Sequence, residues 1–279
     1  MLRQREFNFP GLPPVVVRQD FVCVEGTGGA VWRPSIQFAR FVCGEEGRRC
    51  LPLKGKSLLE ISSGLGLGAI VAWHLGASSV VATDIDSENG PMALLARNVS
   101  ANCDRNASST NRSESRQIGS LGGEGEEEEE KEEESRCRPT ADGVAEREEG
   151  VLSRGQGTAR RSSPVAGVCV QELRWGDGAQ LAGALAKFGG FGPDVVLACD
   201  VVFDEALLPA LTETLVAACT LATSCGGLPR LCVSLQKRNR DRESSFFAGL
   251  ARRLGGGSWR EVHRESDISV LIFAAAAYE

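Results

Sequence analysis

Residues 56–84 read KSLLEISSGLGLGAIVAWHLGASSVVATD, in which a short apolar segment, a glycine-rich turn and a longer apolar segment precede a second short segment ending in a carboxylate. The pattern predicts a strand at 57–61, a helix at 67–75 and a strand at 79–84. Glycine lets the chain turn sharply and approach a ligand closely, and the first amide groups of the helix would face that ligand. Asp84 lies twenty residues after Gly64, where a carboxylate can accept hydrogen bonds from ribose hydroxyl groups. The stretch therefore predicts a nucleotide-binding unit.

Glu60 lies inside the first predicted strand, four residues before Gly64. The corresponding strand of an NAD-binding unit is usually apolar throughout, so an acid at this position disfavours a dinucleotide. The segment Glu60-x-Ser-x-Gly64-x-Gly66 resembles the acidic-x-Gly-x-Gly-x-Gly motif of S-adenosylmethionine-dependent methyltransferases, with Ser62 where glycine is common. The resemblance implies a cationic sulfonium cofactor without a pyrophosphate, for which a negatively charged strand end is suited. The alternative is a glycine turn that packs a helix on a strand in another α/β protein.

The chain of 279 residues is long enough for one substantial core or for two, but one stretch differs in composition. Residues 103–166 have almost no apolar periodicity and include an acidic run at 124–134 of nine Glu and one Lys, a charge of −8. We expect a disordered acidic insertion at 103–166 and a single domain formed by 1–102 and 167–279. The net charge of −6 is thus concentrated in the insertion and says little about partners. The acidic run could be a solvated loop or a tail that binds a basic protein.

The cysteines and the apolar segments of the chain allow a prediction of the cellular compartment. None of the ten cysteines is paired at the two-residue spacing of a zinc knuckle, so no metal is predicted. Several lie in apolar strand-like runs, as free cysteines in a reducing compartment do. The N-terminus lacks the apolar core of a signal peptide, and the apolar run at 268–278 is shorter than the ~20 residues of a membrane span. We expect a soluble, cytoplasmic protein without a membrane partner, with the nucleus as a second compartment.

The rest of the chain alternates strand-like and helix-like segments. The patterns predict strands at 168–173, 193–200 and 230–235, a hairpin at 259–263 and 268–274, and helices at 87–102, 178–188, 206–222 and 244–254, the first capped by Ser87. Together they predict an α/β fold: a Rossmann-like, open, mostly parallel seven-stranded sheet with helices on both faces and an antiparallel C-terminal hairpin. Ligands bind such sheets at the carboxyl ends of the strands.

Five separated features, in order, resemble protein-lysine methyltransferases of the methyltransferase-like 21 type, which act on chaperones and elongation factors. The resemblance covers about 20–102 and 167–274, and its motifs are Trp32-Arg-Pro34, Glu60 to Gly68, Thr83-Asp84, Leu173-Arg-Trp175-Gly, and Asp194 to Phe203. The family implies an S-adenosylmethionine pocket with Asp84 on the ribose and Trp175 against the adenine. The expected lining residues are Trp32, Glu60, Gly64, Leu65, Gly66, Asp84, Trp175 and Cys199. Trp32 and Trp175 would otherwise be core aromatics.

Asp200 and Phe203 are the candidate catalytic residues. Asp200 follows a buried strand at the edge where the methyl group must be delivered, and a carboxylate there can hold and orient a lysine amine. Free lysine has a pKa of about 10.4, so the enzyme must bind the ammonium, remove its proton and align the nitrogen for in-line attack. Phe203 stands where the family has tyrosine, which removes a hydroxyl but keeps a ring that can face a cation. Asp200 could instead cap the next helix, although Asp204 is better placed for that.

Other functions remain open at this stage. Asp-Val-Val-Phe203 lacks the Asn/Asp-Pro-Pro-aromatic turn usual in DNA and RNA amino-methyltransferases, which disfavours nucleic acid. The basic stretch 237–242 could contact an acidic protein or a phosphate backbone, or be a solvated helix start. We expect a monomer that acts on a protein substrate; the alternatives are a non-catalytic S-adenosylmethionine-binding interaction protein, a methyltransferase of a non-protein substrate, and a nicotinamide dehydrogenase. His74 and His263 have no placement that suggests a base and are expected to be structural.

Overall fold

The computed structural model describes residues 2–21, 28–87, 90–103, 167–221 and 228–275. These all belong to one compact unit, made of Met1–Arg105 and Arg161–Glu279. The predicted insertion at 103–166 lies, apart from Cys103, outside the described residues.

The strands of the described residues form two sheets. In chain order the strands are β1 Leu2–Phe7, β2 Val15–Asp20, β3 Ser57–Ile61, β4 Ser79–Asp84, β5 Gly167–Glu172, β6 Val195–Cys199, β7 Arg230–Gln236, β8 Gly257–Glu265 and β9 Ile268–Ala275. β1 and β2 pair antiparallel as a hairpin, and the other seven form one sheet of order β5-β4-β3-β6-β7-β9-β8. Strands β3 to β7 are parallel, while β9 runs antiparallel to both β7 and β8. The predicted mostly parallel sheet with a C-terminal hairpin is confirmed.

Helices cover both faces of the large sheet. They are α1 Arg33–Cys43, α2 Glu45–Cys50, α3 Leu67–His74, α4 Met92–Cys103, α5 Gly178–Ala186, α6 Leu208–Thr220 and α7 Arg240–Arg253, with a 3₁₀ turn at Glu205–Leu207 before α6. One apolar core joins α1, α3, α4 and the β1–β2 hairpin to the sheet, and a second joins α5, α6 and α7 to the opposite face. The predicted α/β class is therefore also confirmed. No helix in the described ranges combines the length and apolar character needed to cross a membrane.

Two helix starts differ from the sequence prediction. The helix predicted from Ser87 begins at Met92, because Pro91 keeps the preceding residue out of the helical region; Ser87 instead accepts a turn hydrogen bond from Gly90 N at 2.9 Å through its carbonyl. The helix predicted from 244 begins at Arg240, where the Asn239 side chain accepts from Arg242 N at 3.0 Å. The predicted Ser87 cap is thus wrong, whereas the predicted Asp204 cap is confirmed by its bond from Ala206 N at 3.0 Å.

The region before β3 contains elements that the sequence pattern did not predict. The β1–β2 hairpin buries Val15 and Val17 against the core, and the side chains of β2 alternate between buried and partly buried. α1 lies beside β7 and β9, and the Ser234 hydroxyl of β7 donates to the Pro34 carbonyl at 2.8 Å. The first part of the chain therefore packs on the same face of the sheet as α3 and α4.

Candidate functional site

The glycine loop, defined as residues 62–66, joins β3 to α3 at the carboxyl edge of the sheet. Ser62, Gly64 and Gly66 have φ angles of 56°, 54° and 85°, in the left-handed region that favours glycine. At Gly66 a Cβ atom would lie 2.6 Å from Leu95 Cδ1 of α4, so the loop touches that helix without room for a side chain. At Gly64 a Cβ atom would meet nothing within 4 Å. The loop therefore leaves open space on the Gly64 side and is packed on the Gly66 side.

The end of β4 holds this loop by hydrogen bonds. Gly64 N donates to Asp84 Oδ2 at 2.7 Å, and Ser63 N donates to the Thr83 carbonyl at 2.7 Å. Asp84 Oδ1 accepts from Ile85 N at 2.8 Å. Burial raises the pKa of Asp84, against the opposing effect of these two amide hydrogen bonds. Each carboxylate oxygen keeps a further lone pair, so Asp84 can still accept from a ligand hydroxyl.

Glu60 lies beneath the loop and caps α3 from the neighbouring strand. Its side chain is buried, and Oε2 accepts from Ala69 N at 2.9 Å. Ala69 is in the first turn of α3, whose own N-cap residue, Gly66, has no side chain to satisfy that amide. A Cβ atom on Gly68 would collide with the Glu60 carboxyl and lie 3.0 Å from Leu197 Cδ2. Glycine at position 68 thus makes room for the carboxyl group.

Burial raises the pKa of Glu60 from 4.5 to about 8, and the charge of Asp84 adds to that shift, while hydrogen bonds from Ser63 and Ala69 oppose it. A large share of Glu60 is therefore protonated at neutral pH. A cation bound near the loop would favour the ionised form.

Two aromatic side chains flank the loop. Trp175 Nε1 donates to Ser62 Oγ at 2.9 Å, so the serine of the loop provides the acceptor for the indole. The Trp175 and Phe203 rings lie 6.2 Å apart between centroids, tilted by 53°. Gly176 N donates to Thr214 Oγ1 at 2.8 Å, which ties the segment after β5 to α6. Phe203 is 38% exposed and Trp175 is half-buried, so both rings are partly open to solvent beside the loop.

Cys199 ends β6, where its strand partner is Ser234 of β7. Burial raises the pKa of its thiol well above the ordinary value, and the charge of Glu60 is the next largest cause. The thiol is therefore neutral at physiological pH and lacks the thiolate that nucleophilic catalysis needs. Trp32 is the N-cap residue of α1 and is 44% exposed, on the part of the edge near β7.

Asp200 follows Cys199 with a φ of 57°, and its amide donates to the Ser234 carbonyl at 2.7 Å. Both oxygens of its carboxylate bind the guanidinium of Arg238: Nη1 lies 2.7 Å from Oδ1 and Nη2 2.9 Å from Oδ2. Gln236 Oε1 also accepts from Arg238 Nη2, at 3.2 Å. The Asp200 side chain is 8% exposed and that of Arg238 33%. This bidentate pair raises the pKa of Arg238 and places a cation on the carboxylate that was predicted to hold a substrate amine.

Direct contacts thus join most of the predicted site residues. The glycine loop is hydrogen bonded to Asp84 and to Trp175, and the Glu60 carboxyl accepts from the helix α3 that follows the loop. Trp175 in turn lies beside Phe203, whereas Asp200 is paired with Arg238, which follows β7. Sequence reasoning did not identify Arg238 as the partner of Asp200, nor Asn98 of α4, which donates to the Leu65 carbonyl at 3.2 Å. A sequence signal for Asn98 does exist: Asn98 and Asn102 lie four residues apart, and so on one side of a helix that is partly apolar.

None of the hydrogen bonds described in the structure joins His74 or His263 to these site residues. The His263 ring packs on Phe41 at 5.7 Å, and burial lowers the pKa of His74 in α3. Within the described ranges, no three His, Cys, Asp or Glu side chains are grouped in a way that could hold a metal ion.

No protein-family model matches the chain, and no curated protein matches it in sequence. Solved structures do match. A putative SAM-dependent methyltransferase from Streptococcus mutans is 10% identical, with a TM-score of 0.51 over 97% of this chain and 55% of that one. Ribosomal protein L11 methylase from Lactobacillus delbrueckii subsp. bulgaricus is 14% identical, with a TM-score of 0.45 over 88% and 80% of the two chains. A putative methyltransferase complexed with SAH is 11% identical, with a TM-score of 0.49 over 97% and 56%.

The chain spans little more than half the length of the Streptococcus mutans protein. At such low identity the likeness concerns the fold alone. The fold of this chain is accordingly similar to that of the Streptococcus mutans protein.

Proposed function

We propose that this chain is an S-adenosylmethionine-dependent methyltransferase. The observation that carries the proposal is the Asp84 carboxylate bonded to Gly64 N at 2.7 Å, beside open space at Gly64, on the carboxyl edge of a parallel sheet. A carboxylate that keeps free lone pairs next to an open glycine fits a ribose with two hydroxyl groups. The likeness in fold to the Streptococcus mutans protein is consistent with this ligand.

The residues around the loop suit this cofactor better than a dinucleotide. When bound, S-adenosylmethionine would supply an electrophilic methyl group on a positively charged sulfur. Asp84 would bind the ribose, Trp175 would pack on the adenine, and Glu60 would offset the positive charge. In dinucleotide-binding proteins the pyrophosphate takes the amides of the helix N-terminus, but here Ala69 N of α3 is bonded to the Glu60 carboxyl. A pyrophosphate would therefore meet an acid where it needs donors.

For the substrate we propose a protein lysine side chain. Asp200 lies at the same edge, and Phe203 beside Trp175 offers an aromatic face to a cation. Asp200 would hold the ammonium and orient the nitrogen once its proton has been lost. Because Arg238 now binds both oxygens of Asp200, the incoming amine has to share or displace that guanidinium. A protein partner is also consistent with the basic side chains of 237–242 next to this edge.

Calorimetry on the purified chain tests the cofactor. We expect S-adenosylmethionine and its demethylated product to bind and NAD not to bind. Asp84→Ala should weaken binding by about 1–3 kcal/mol, the cost of losing a charge-assisted partner from a buried site. The matched control is Asp86→Ala at an exposed position two residues later, which should keep wild-type affinity. Binding of NAD in preference to S-adenosylmethionine would overturn the proposal.

Transfer of a radiolabelled methyl group to proteins of a cell lysate tests the activity. We expect labelled protein with the wild type and much less with Asp200→Asn, and mass spectrometry of the labelled band should find methyl-lysine. Cofactor binding without any labelled protein would instead favour a binding protein that uses the same pocket. Label in RNA and not in protein would contradict the lysine assignment.

A further inference from the structure

Asn98 of α4 links the glycine loop to the N-terminal hairpin. Its side chain is fully buried. Oδ1 accepts from Arg18 N at 2.9 Å, and Nδ2 donates to the Arg18 carbonyl at 3.0 Å and to the Leu65 carbonyl at 3.2 Å. Both amide hydrogens are thus in use, one on β2 and the other on the loop.

Asn102, one helical turn later, makes the same contacts to β2 but none of the bonds described for it goes to the loop. Its Oδ1 accepts from Val16 N at 3.0 Å, and Nδ2 donates to the Val16 carbonyl at 2.9 Å and to the Asn98 carbonyl at 2.7 Å. Residues 16 and 18 present their backbone groups on one edge of β2. The two asparagines therefore replace a neighbouring strand along that edge.

The Leu65 carbonyl belongs to the peptide unit that leads into Gly66, the N-cap residue of α3. The Gly66 amide donates to the Ser63 carbonyl at 2.8 Å, and a Cβ atom on Gly66 would lie 2.6 Å from Leu95 Cδ1 of α4. On the other side of the loop, the Gly64 amide is held by Asp84. Asn98 therefore holds the loop from behind, at the peptide between its two left-handed glycines, while Asp84 holds it on the ligand side.

We infer that Asn98 is a positioning residue for the cofactor site, which sets the orientation of the Leu65–Gly66 peptide and connects the loop to the β1–β2 hairpin. The ligand of the loop rests on the proposed function; the bonds of Asn98 do not. Without this bond a loop with two left-handed glycines samples more conformations and loses its preorganised shape. The N-terminal hairpin thus contributes to cofactor affinity through Asn98.

Two isosteric variants provide a matched test, Asn98→Asp and Asn102→Asp. Each keeps the oxygen that accepts from β2 and removes both amide donors, but only the first loses the bond to Leu65. Thermal melts first establish the temperature at which both variants are folded, and calorimetry then gives their affinities for S-adenosylmethionine and its demethylated product. We expect about a tenfold weaker binding for Asn98→Asp and a change within about twofold for Asn102→Asp, even where the two lose similar stability.

A second measurement needs no ligand. Amide hydrogen exchange of the peptide that spans 62–68 should be faster in Asn98→Asp than in Asn102→Asp, with exchange of the hairpin raised in both. If Asn98→Asp does not fold, the pair Asn98→Ser and Asn102→Ser takes its place. Equal affinities and equal loop exchange in the matched variants would overturn the inference. A wild type that does not bind the cofactor would overturn the proposed function, and loop exchange would still decide the role of Asn98.

Discussion

Three acidic side chains at the carboxyl edge differ in the group that holds each of them. Glu60 is bonded to a helix amide under the loop, Asp84 to the loop itself, and Asp200 to the guanidinium of Arg238. Their charges are therefore not equally available to a ligand. Glu60 becomes ionised more readily when a positive charge binds nearby. Asp84 has lone pairs that can accept hydrogen bonds from a ligand. The charge of Asp200 is available to a ligand only when Arg238 is displaced.

The raised pKa of Glu60 predicts how stability depends on pH. The buried carboxyl has a pKa of about 8 in the folded protein, against 4.5 ordinarily, so the folded state retains a proton that the unfolded chain loses. Its stabilising contribution is complete below about pH 4.5 and is lost as the pH rises through 8. Glu60→Gln keeps an acceptor for Ala69 N and removes the titration. We expect the melting temperature of the wild type to fall relative to Glu60→Gln between pH 5 and pH 8.

The control is Glu46→Gln at an exposed position, whose melting temperature should depend on pH as that of the wild type does. Parallel curves for Glu60→Gln and the wild type would contradict the raised pKa of Glu60.

The Asp200–Arg238 pair predicts opposite effects of two substitutions on methyl transfer. Asp200→Asn should keep cofactor affinity and slow transfer by about 10²-fold, because the charge matters when the ammonium is held and deprotonated. Arg238→Gln should transfer at the wild-type rate or faster, since it frees the carboxylate for the amine. Single-turnover assays with labelled cofactor measure both.

The double variant Asp200→Asn, Arg238→Gln separates two roles of the pair. We expect it to be as slow as Asp200→Asn alone. An Arg238→Gln variant that is as slow as Asp200→Asn would show that the two act as one unit, and Asp200 would then position Arg238 instead of holding the substrate.

At the scale of elements, the β3–loop–α3 unit shows how two glycines of one loop serve different purposes. Gly64 faces open space and Gly66 packs on Leu95, although both have left-handed backbones. The position that leaves space for a ligand, Gly64, is thus only two residues from the position where the loop packs closely on α4, Gly66.

This difference predicts distinct outcomes for alanine at the two positions. In Gly64→Ala the methyl group would enter the open space, so we expect a modest loss of stability, about 1 kcal/mol from the left-handed backbone, and at least a tenfold loss of cofactor affinity. In Gly66→Ala the added carbon would lie 2.6 Å from Leu95 Cδ1, so the main effect should be on the melting temperature. Melts and calorimetry of both variants test this, and wild-type affinity in Gly64→Ala would place the ligand elsewhere.

At the scale of the whole molecule, the connection between α4 and β5 is far longer than the fold requires. α4 packs on β5, and in sheets of this kind a helix is joined to the next parallel strand by a loop of about 2–6 residues. Here residues 104–166 separate the two elements. Residues 104–166 have almost no apolar periodicity, so their composition predicts that they contribute to neither apolar core.

We therefore expect that residues 105–164 can be replaced by a short Gly-Ser linker without loss of fold or site. The shortened chain should keep the melting temperature and the cofactor affinity of the full chain, measured by the same melts and titrations. The full chain is the control. A large drop in melting temperature would show that the insertion packs on the domain.

The local pattern of apolar and turn residues predicted much of the fold. The strands β3, β4, β5, β6 and β7, the C-terminal hairpin and the glycine turn follow from apolar periodicity and turn residues within a few positions of one another. The hairpin β1–β2 and the helices before β3 were not predicted, and neither were the starts of α4 and α7, since a proline and an asparagine cap outweighed the periodicity there.

For the site, the residue types and their place at the carboxyl edge could be derived from the sequence, because strand ends of a parallel sheet meet at one edge. Their pairing could not. Asn98 bonds residues that are 80 and 33 positions away, and Asp200 bonds Arg238 across 38 positions. These partners depend on which groups the packed helices and strands bring within hydrogen-bond distance, and periodicity along the chain does not encode that proximity. The sequence therefore determined which chemical groups this protein places at its sheet edge, and only the tertiary structure decided which of them are already bonded to one another.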